Sequence, residues 1–166
     1  MILGMSISTF TTVHVIISLI GILSGFIVLY GLFSVRKFGG WTALFLATTV
    51  LTSVTGFFFP FTTLLPSHVV GVISLVVLAV AIYALYGARL AGRWRWIYVV
   101  TALTALYLNA FVGVVQAFQK LPFLNPLAPT QSELPFVIAQ AGLIAVFIVV
   151  GILTVRKYHP ELKAPA

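Results

Sequence analysis

The sequence predicts an all-α integral membrane helical bundle of five transmembrane helices, with the N-terminus outside and the C-terminus in the cytoplasm. Apolar residues make up 61% of the 166-residue chain and charged residues only 7%, whereas about a quarter of the residues of a soluble domain are charged. The apolar residues form roughly five runs, each about as long as a helix that crosses the hydrocarbon core. The cations stand almost entirely at alternate ends of these runs.

The five runs form a single membrane domain over residues 1–166. The spans are predicted at about 10–34, 41–59, 67–88, 96–118 and 134–155. No basic segment or small-residue cleavage site flanks the first run, so it is predicted to be a permanent span and not a signal peptide. Charge, proline and glycine set the limits, because both the lipid-facing and the buried sides of such helices are apolar.

The distribution of cations predicts the orientation. If the spans alternate, eight cations fall on one side: Arg36, Lys37, Arg89, Arg93, Arg95, Arg156, Lys157 and Lys163. Lys120 alone falls on the other side, and the positive-inside rule then makes the cation-rich side cytoplasmic. Trp41, Trp94 and Trp96 lie at the same boundary, as interfacial anchors do. A four-span arrangement with one re-entrant run would spoil this asymmetry.

The ends of two spans carry capping signals. Ser67 is predicted to cap span three, with His68 as its first helical residue. Ser132 is predicted to cap span five, after the proline-rich outer loop 119–133. Glu133 would then lie in the first turn, where the helix dipole favours a negative charge.

The composition excludes several kinds of chemistry. There is no cysteine, which excludes disulfides, thiolate metal sites and a cysteine nucleophile. There is no aspartate, and Glu133 and Glu161 are the only acids, so paired-carboxylate catalysis is not expected. The net charge of +7 is assigned to membrane topology, and the expected partner is the lipid bilayer, not nucleic acid.

Six polar residues are candidates for a ligand-binding site. Helices in lipid associate through small and polar side chains, so polar groups on such faces should point into the bundle. The six candidates are His14, His68, Asn109, Gln116, Glu133 and Gln140. Asn109 lies nearer the middle of the membrane, and the other five lie in the outer half. The pattern therefore predicts a polar pocket that opens to the outside.

Several functions are compatible with this pocket. The first is a non-enzymatic membrane component that binds a partner or a small ligand, or that uses these groups only as interhelical hydrogen bonds. The alternative is a redox protein that binds haem b or a quinone through His14 and His68. A third hypothesis is a metal site built from His14, His68 and Glu133. Proton-coupled transport is disfavoured, because no acid, lysine or arginine lies at mid-depth.

The Gly21-x-x-x-Gly25 motif of span one predicts close helix packing. Such a face packs equally well within one chain or between two. A homo-oligomer or another membrane-protein partner is therefore left open.

Four strings carry a resemblance. Residues 55–61 (TGFFFPF) and 67–71 (SHVVG) form one pair, and 106–118 (LYLNAFVGVVQAF) and 127–133 (LAPTQSE) form the other. They resemble small multi-span proteins of bacterial inner membranes that carry no assigned activity. The resemblance implies a bacterial inner (plasma) membrane location and brings no catalytic residues with it.

Overall fold

The chain is an all-helical bundle in the computed structural model, which describes residues 1–36, 38–60 and 66–158. Five long helices are present in these ranges: α1 (Ile7–Phe33), α2 (Gly39–Gly56), α3 (Pro66–Ile82), α4 (Trp94–Lys120) and α5 (Leu134–Lys157). A π-helical turn, Tyr83–Gly87, continues α3, and a short 3₁₀ turn, Asn125–Leu127, lies between α4 and α5. No strand occurs in the described part of the chain, so the predicted all-α bundle is confirmed.

Four of the helices are long and apolar enough to cross a membrane. These segments are Ile7–Phe33, Ser67–Gly87, Trp94–Lys120 and Leu134–Lys157. The fifth, α2, has 18 residues, which extend over about 27 Å. It is not among the four, and it carries five threonines.

Helices α1 and α2 form an antiparallel pair that is in contact along its whole length. At one end the rings of Phe10 and Phe59 lie 5.1 Å apart, edge to face. At the other end Phe38 packs onto Gly31, where an added Cβ would lie 2.5 Å from the ring. Each end of α1 thus lies beside one end of α2, so the two helices pass through the same thickness of the bundle.

The Gly21-x-x-x-Gly25 face packs inside this chain. A Cβ added to Gly25 would lie 2.4 Å from Leu106 Cδ1 on α4 and 3.0 Å from the Phe45 ring on α2. A Cβ added to Gly21 would lie 3.0 Å from Asn109 Nδ2. The two glycines therefore let α2 and α4 approach α1 together.

Helix α4 lies at the centre and packs against α1, α3 and α5. Ala102, Ala105 and Asn109 are buried on this helix. Helix α5 packs mainly along α4, with aromatic contacts such as Tyr107 to Phe147 at 5.6 Å. Most of the α5 surface is left exposed.

The alternation of the helices gives the bundle two chemically different ends. The described cations of the cation-rich end are Arg36, Arg89, Arg93, Arg95, Arg156 and Lys157. Lys120, at the end of α4, marks the opposite end, called here the Lys120 end. Lys37 and Lys163 lie outside the described residues. The predicted asymmetry of charge is thus a property of the fold.

Both capping predictions are wrong. Helix α3 begins at Pro66, so Ser67 already lies in the helix and His68 is not its first residue; proline suits a first helical position because it has no N–H to satisfy. The N-cap of α5 is Glu133, without a side-chain cap bond. Ser132 turns away from the helix, and its hydroxyl lies 2.5 Å from that of Thr130.

Candidate functional site

His14 joins α1 to α2 near the Lys120 end. Its Nδ1 lies 2.8 Å from the Thr55 hydroxyl oxygen, and its ring meets Phe59 edge to face at 5.2 Å. The Thr55 hydroxyl donates to the Leu51 carbonyl at 2.7 Å, so it accepts from His14 Nδ1–H. This contact is an interhelical hydrogen bond of the kind that holds membrane helices together.

His68 lies in the first turn of α3 and is buried, with 6% of its surface exposed. Its ring is 5.7 Å from that of Phe57, just beyond the end of α2. Both histidines therefore contact the same end of α2, one from α1 and the other from α3. The haem or quinone alternative, which needs both rings to face one gap, stays a prediction.

Of the two glutamines of the predicted site, Gln140 lies at the α4–α5 contact. Gln140 Nε2 donates to the Phe111 carbonyl at 3.3 Å, while its Oε1 is buried without a partner among the described residues. Gln116 is half-buried on α4. Gln131, which was not predicted, donates to the neighbouring Val115 carbonyl at 3.3 Å. Gln140 and Gln131 tie α5 and its preceding loop to the outer half of α4.

Glu133 is committed to its own loop. Its carboxylate accepts from the Thr130 hydroxyl at 2.8 Å and from the Thr130 and Ser132 N–H groups at 3.1 Å each. Desolvation would raise the pKa of this carboxyl, but these hydrogen bonds outweigh it and hold the pKa below its ordinary value. Glu133 therefore acts as a loop clasp.

The metal hypothesis is wrong for the residues proposed. No group of three or more His, Cys, Asp or Glu side chains in the described ranges is placed to hold a metal ion. His14, His68 and Glu133 are all described, and each contacts a different partner. Helix packing directs them into separate contacts, because Glu133 bonds its own loop, His14 bonds Thr55 and the His68 ring packs near Phe57.

Asn109 lies deeper, where α1, α2 and α4 meet at Gly21. A Cβ added to Gly21 would lie 3.0 Å from Asn109 Nδ2, 3.2 Å from Thr48 Oγ1 and 3.3 Å from Thr49 Oγ1. The Asn109 side-chain nitrogen is buried and has no hydrogen-bond partner among the described residues. This is a polar recess inside an otherwise apolar part of the bundle.

A second site, which sequence reasoning missed, lies at the cation-rich end. It is a cavity of about 300 Å³ between the end of α1, the start of α2, the π-helical turn and α4. One wall is apolar and comprises Val28, Leu32, Leu85 and Leu90. The polar residues that line the cavity are Arg36, Thr42, Tyr86, Arg89, Tyr98 and Tyr158. The cavity is therefore amphipathic.

Two left-handed turns bring the arginines to this cavity. Val35 has φ 55°, and the next N–H, of Arg36, donates back to the Gly31 carbonyl at 2.8 Å. Arg89 has φ 51° and follows the π-helical turn, which closes through Ala88 N–H to the Tyr83 carbonyl at 2.8 Å. Non-glycine residues rarely adopt this conformation, and such strain concentrates at functional sites.

Within the described residues, no carboxylate balances the positive charge of the cavity. Of the two acids in the chain, Glu133 belongs to the opposite end, and Glu161 lies outside the described residues. No carboxylate of the described chain therefore faces Arg36 and Arg89. Burial raises the pKa of the Tyr158 hydroxyl, with the Arg95 charge opposing it, so this phenol remains a neutral donor at pH 7.

Two other cations of this end, Arg95 and Lys157, have contacts within the bundle. Arg95 donates to the Tyr158 carbonyl and so fixes the end of α5. Lys157 Nζ lies 4.4 Å from the centre of the Phe33 ring. The sequence analysis interpreted every cation as a determinant of topology. The signal that could have indicated this cavity is that Arg36 and Arg89 each follow soon after a helix end.

A further groove runs between α4 and α5. It encloses about 350 Å³ and is lined almost wholly by aliphatic and aromatic side chains, with Thr104 and Tyr107 as its polar groups. It faces the lipid side of the bundle and has no charged group to select a ligand.

Comparison with known proteins adds no relative from which function can be read. No family model, no curated protein and no solved structure matches this chain. Its function is therefore argued from the two polar sites alone.

Proposed function

We propose that this chain is a non-enzymatic, five-span component of the bacterial inner (plasma) membrane that binds an anionic amphiphile at its cytoplasmic end. The observation that carries the proposal is the cavity at the cation-rich end, where Arg36 and Arg89 flank an apolar wall. The bacterial location rests on the sequence resemblance.

The packing of α2 supports five spans. Contacts from Phe10–Phe59 to Gly31–Phe38 place α2 beside α1 along its full length. A bilayer that encloses α1 must then enclose α2 as well. The hydroxyls of α2 suit this environment, because most bond to carbonyls of their own helix, as Thr49 does to Phe45 at 2.7 Å.

The orientation follows from the two ends of the bundle. With five spans the N-terminus and the C-terminus lie on opposite sides. The positive-inside rule places the cation-rich end in the cytoplasm. The N-terminus and the loop around Asn125 are then outside.

The chemistry of the cavity selects the ligand. Guanidinium groups bind phosphate with two parallel charge-assisted hydrogen bonds, and the tyrosine hydroxyls add neutral donors. The apolar wall suits an acyl chain. Basic pockets between helices on the cytoplasmic side are known sites for anionic lipid head groups. The ligand proposed is an anionic phospholipid of the cytoplasmic leaflet.

The outer-facing pocket remains a prediction, as does a homo-oligomer. The cation-rich end is preferred as the ligand site because its arginines face no carboxylate of the described chain. By contrast, His14 and Gln140 make bonds between helices.

Native mass spectrometry of the detergent-solubilised protein tests the proposal. Phosphatidylglycerol or phosphatidylcholine is titrated onto the wild type and onto the double variant Arg36→Gln/Arg89→Gln. The wild type should prefer phosphatidylglycerol, and the double variant should bind it about tenfold or more weakly, since a hydrogen bond to a charged group contributes about 1.5–3 kcal/mol.

The control is Arg93→Gln/Arg156→Gln, which removes the same charge from the same end but not from the cavity lining. It should retain the preference. Equal losses in both double variants, or no preference in the wild type, would overturn the proposal. Competition by inorganic phosphate alone at millimolar concentration would identify a soluble phosphate as the ligand instead.

A further inference from the structure

A second polar feature, distinct from the cation-rich cavity, runs along the α1–α2 contact towards the Lys120 end. It consists of His14, Thr55, Thr52, Thr48 and Asn109, and is called here the polar column. Thr48, Thr52 and Thr55 follow one another at helical spacing on α2. His14 bonds Thr55 at one end, and Asn109 approaches Thr48 at Gly21 at the other.

Two polar atoms of the column lack a partner. The Asn109 side-chain nitrogen and the Thr52 hydroxyl oxygen are both buried without a hydrogen bond among the described residues. Asn109 exposes 8% of its surface, and its nitrogen lies 3.0 Å from the point where a Cβ of Gly21 would stand. Buried polar groups in proteins are almost always satisfied by protein or by ordered water, and more so in hydrocarbon.

The recess offers donors and acceptors together. The Thr48 hydroxyl donates to the Leu44 carbonyl at 2.7 Å and the Thr49 hydroxyl to the Phe45 carbonyl at 2.7 Å. Their oxygens therefore keep lone pairs for another donor, while the Asn109 amide keeps its N–H groups. A buried water needs two to four such partners, and this recess supplies them.

The column is closed towards the cation-rich end. Phe45 and Leu106 pack on Gly25 one turn below the recess, and each exposes 1% of its surface. Towards the Lys120 end, His14 is only partly buried. The column is therefore closed at the Phe45 and Leu106 end, and its His14 end is the less buried one.

We propose that the recess formed by Gly21, Thr48 and Asn109 binds water in the membrane core, and that this water exchanges with the Lys120 side along the polar column. The column is a half-channel: it hydrates Asn109 without opening a path across the bilayer. This inference does not depend on the lipid site at the other end.

Water-edited solid-state NMR of the protein in liposomes tests the hydration. Asparagine occurs at positions 109 and 125 alone, so ¹⁵N-asparagine labelling gives two side-chain signals. Asn125 is exposed and serves as the internal standard. Transfer from water to Asn109 should be of the same order as transfer to Asn125. Gly21→Ala fills the recess and should remove the Asn109 transfer while leaving that of Asn125.

The side of access is tested with single cysteines, since the chain contains none. Thr52→Cys should react with silver ion added at the Lys120 side roughly tenfold or more faster than with silver added at the other side, because a thiolate needs water. Leu51→Cys, which faces lipid, and Ser24→Cys, which lies below the column, are controls and should react slowly. A dry Asn109 in the wild type, or equal rates for all three cysteines, would overturn the proposal.

Discussion

At the scale of the residue, the lack of a Cβ atom at a single glycine decides how closely the helices of this bundle pack. Gly25 admits Phe45 and Leu106 because it has no Cβ, whereas Gly142 faces open space on α5. The same residue type in two helices thus has opposite consequences. Position in the packed structure, and not glycine itself, sets the cost of a substitution.

Gly25→Ala should destabilise the bundle. The new methyl group would lie 2.4 Å from Leu106 Cδ1, and both Leu106 and Phe45 are packed too tightly to move freely. We expect the free energy of unfolding to fall by about 1–3 kcal/mol, measured by thermal unfolding in detergent.

Gly142→Ala is the matched control for that experiment. It should be neutral or gain up to about 1 kcal/mol, because alanine is the better helix former. Equal stability of the two variants would contradict the close packing at Gly25.

The Glu133 clasp makes a prediction about pH. Because the hydrogen bonds lower the pKa below the ordinary value of 4.5, the clasp is complete above that value. It is lost as the pH falls through the lowered pKa. Thr130→Val removes the hydroxyl donor and should raise the pKa of Glu133 towards 4.5.

A ¹³C NMR titration of the Glu133 carboxyl measures this shift. The Glu161→Gln background leaves a single glutamate signal. An unchanged pKa in Thr130→Val would show that the hydroxyl does not contribute to the clasp.

At the scale of the element, α2 is the helix on which the topology depends. It is not among the four helices that are long and apolar enough to cross a membrane, yet the flanking residues Phe59 and Phe38 meet Phe10 and Gly31 near the two ends of α1. Its threonines satisfy themselves through carbonyls of the same helix. If α2 is a fifth span, as proposed, these internal bonds let its hydroxyls lie in the bilayer without outside partners.

Single cysteines at the two ends of α2 test whether it spans. Phe58→Cys should be labelled by an impermeant maleimide from outside, and Gly40→Cys only after the membrane is permeabilised. A reporter after Lys163 should be cytoplasmic and one near Asn125 external. Labelling of both cysteines from one side would indicate a re-entrant α2, and reversed reporters would contradict the orientation.

At the scale of the whole molecule, the two ends of the bundle differ in chemistry. One end holds the arginine-lined cavity, and the other holds two histidines against α2. If the molecule is a binding component, the histidines serve packing and hydration. If it is a redox protein, they ligate a cofactor.

An oxidised-minus-reduced visible spectrum separates these roles. For protein made in a haem-competent host and purified in mild detergent, we expect no Soret or α-band. Such a pair of bands, if lost in His68→Ala, would instead make this a b-type haem protein.

Much of the predicted site could be placed by depth but not by contact. The sequence predicted how deep His14, Gln140 and Asn109 lie in the membrane. It did not predict their contacts, which are Thr55, the Phe111 carbonyl and the Gly21 recess. These partners depend on how each helix is rotated about its axis. In lipid that rotation leaves little trace in hydropathy, because both faces are apolar.

The sequence by itself determined a helical membrane bundle and the segregation of its charges, because hydropathy and charge add up locally along the chain. Tertiary structure alone decided that Gly21 and Gly25 pack within the chain, that Asn109 is buried unpartnered, and that Arg36 and Arg89 flank one cavity. Each of these depends on residues far apart in sequence meeting at one point. Such contacts are determined by close packing between helices, and no single segment of the sequence specifies that packing.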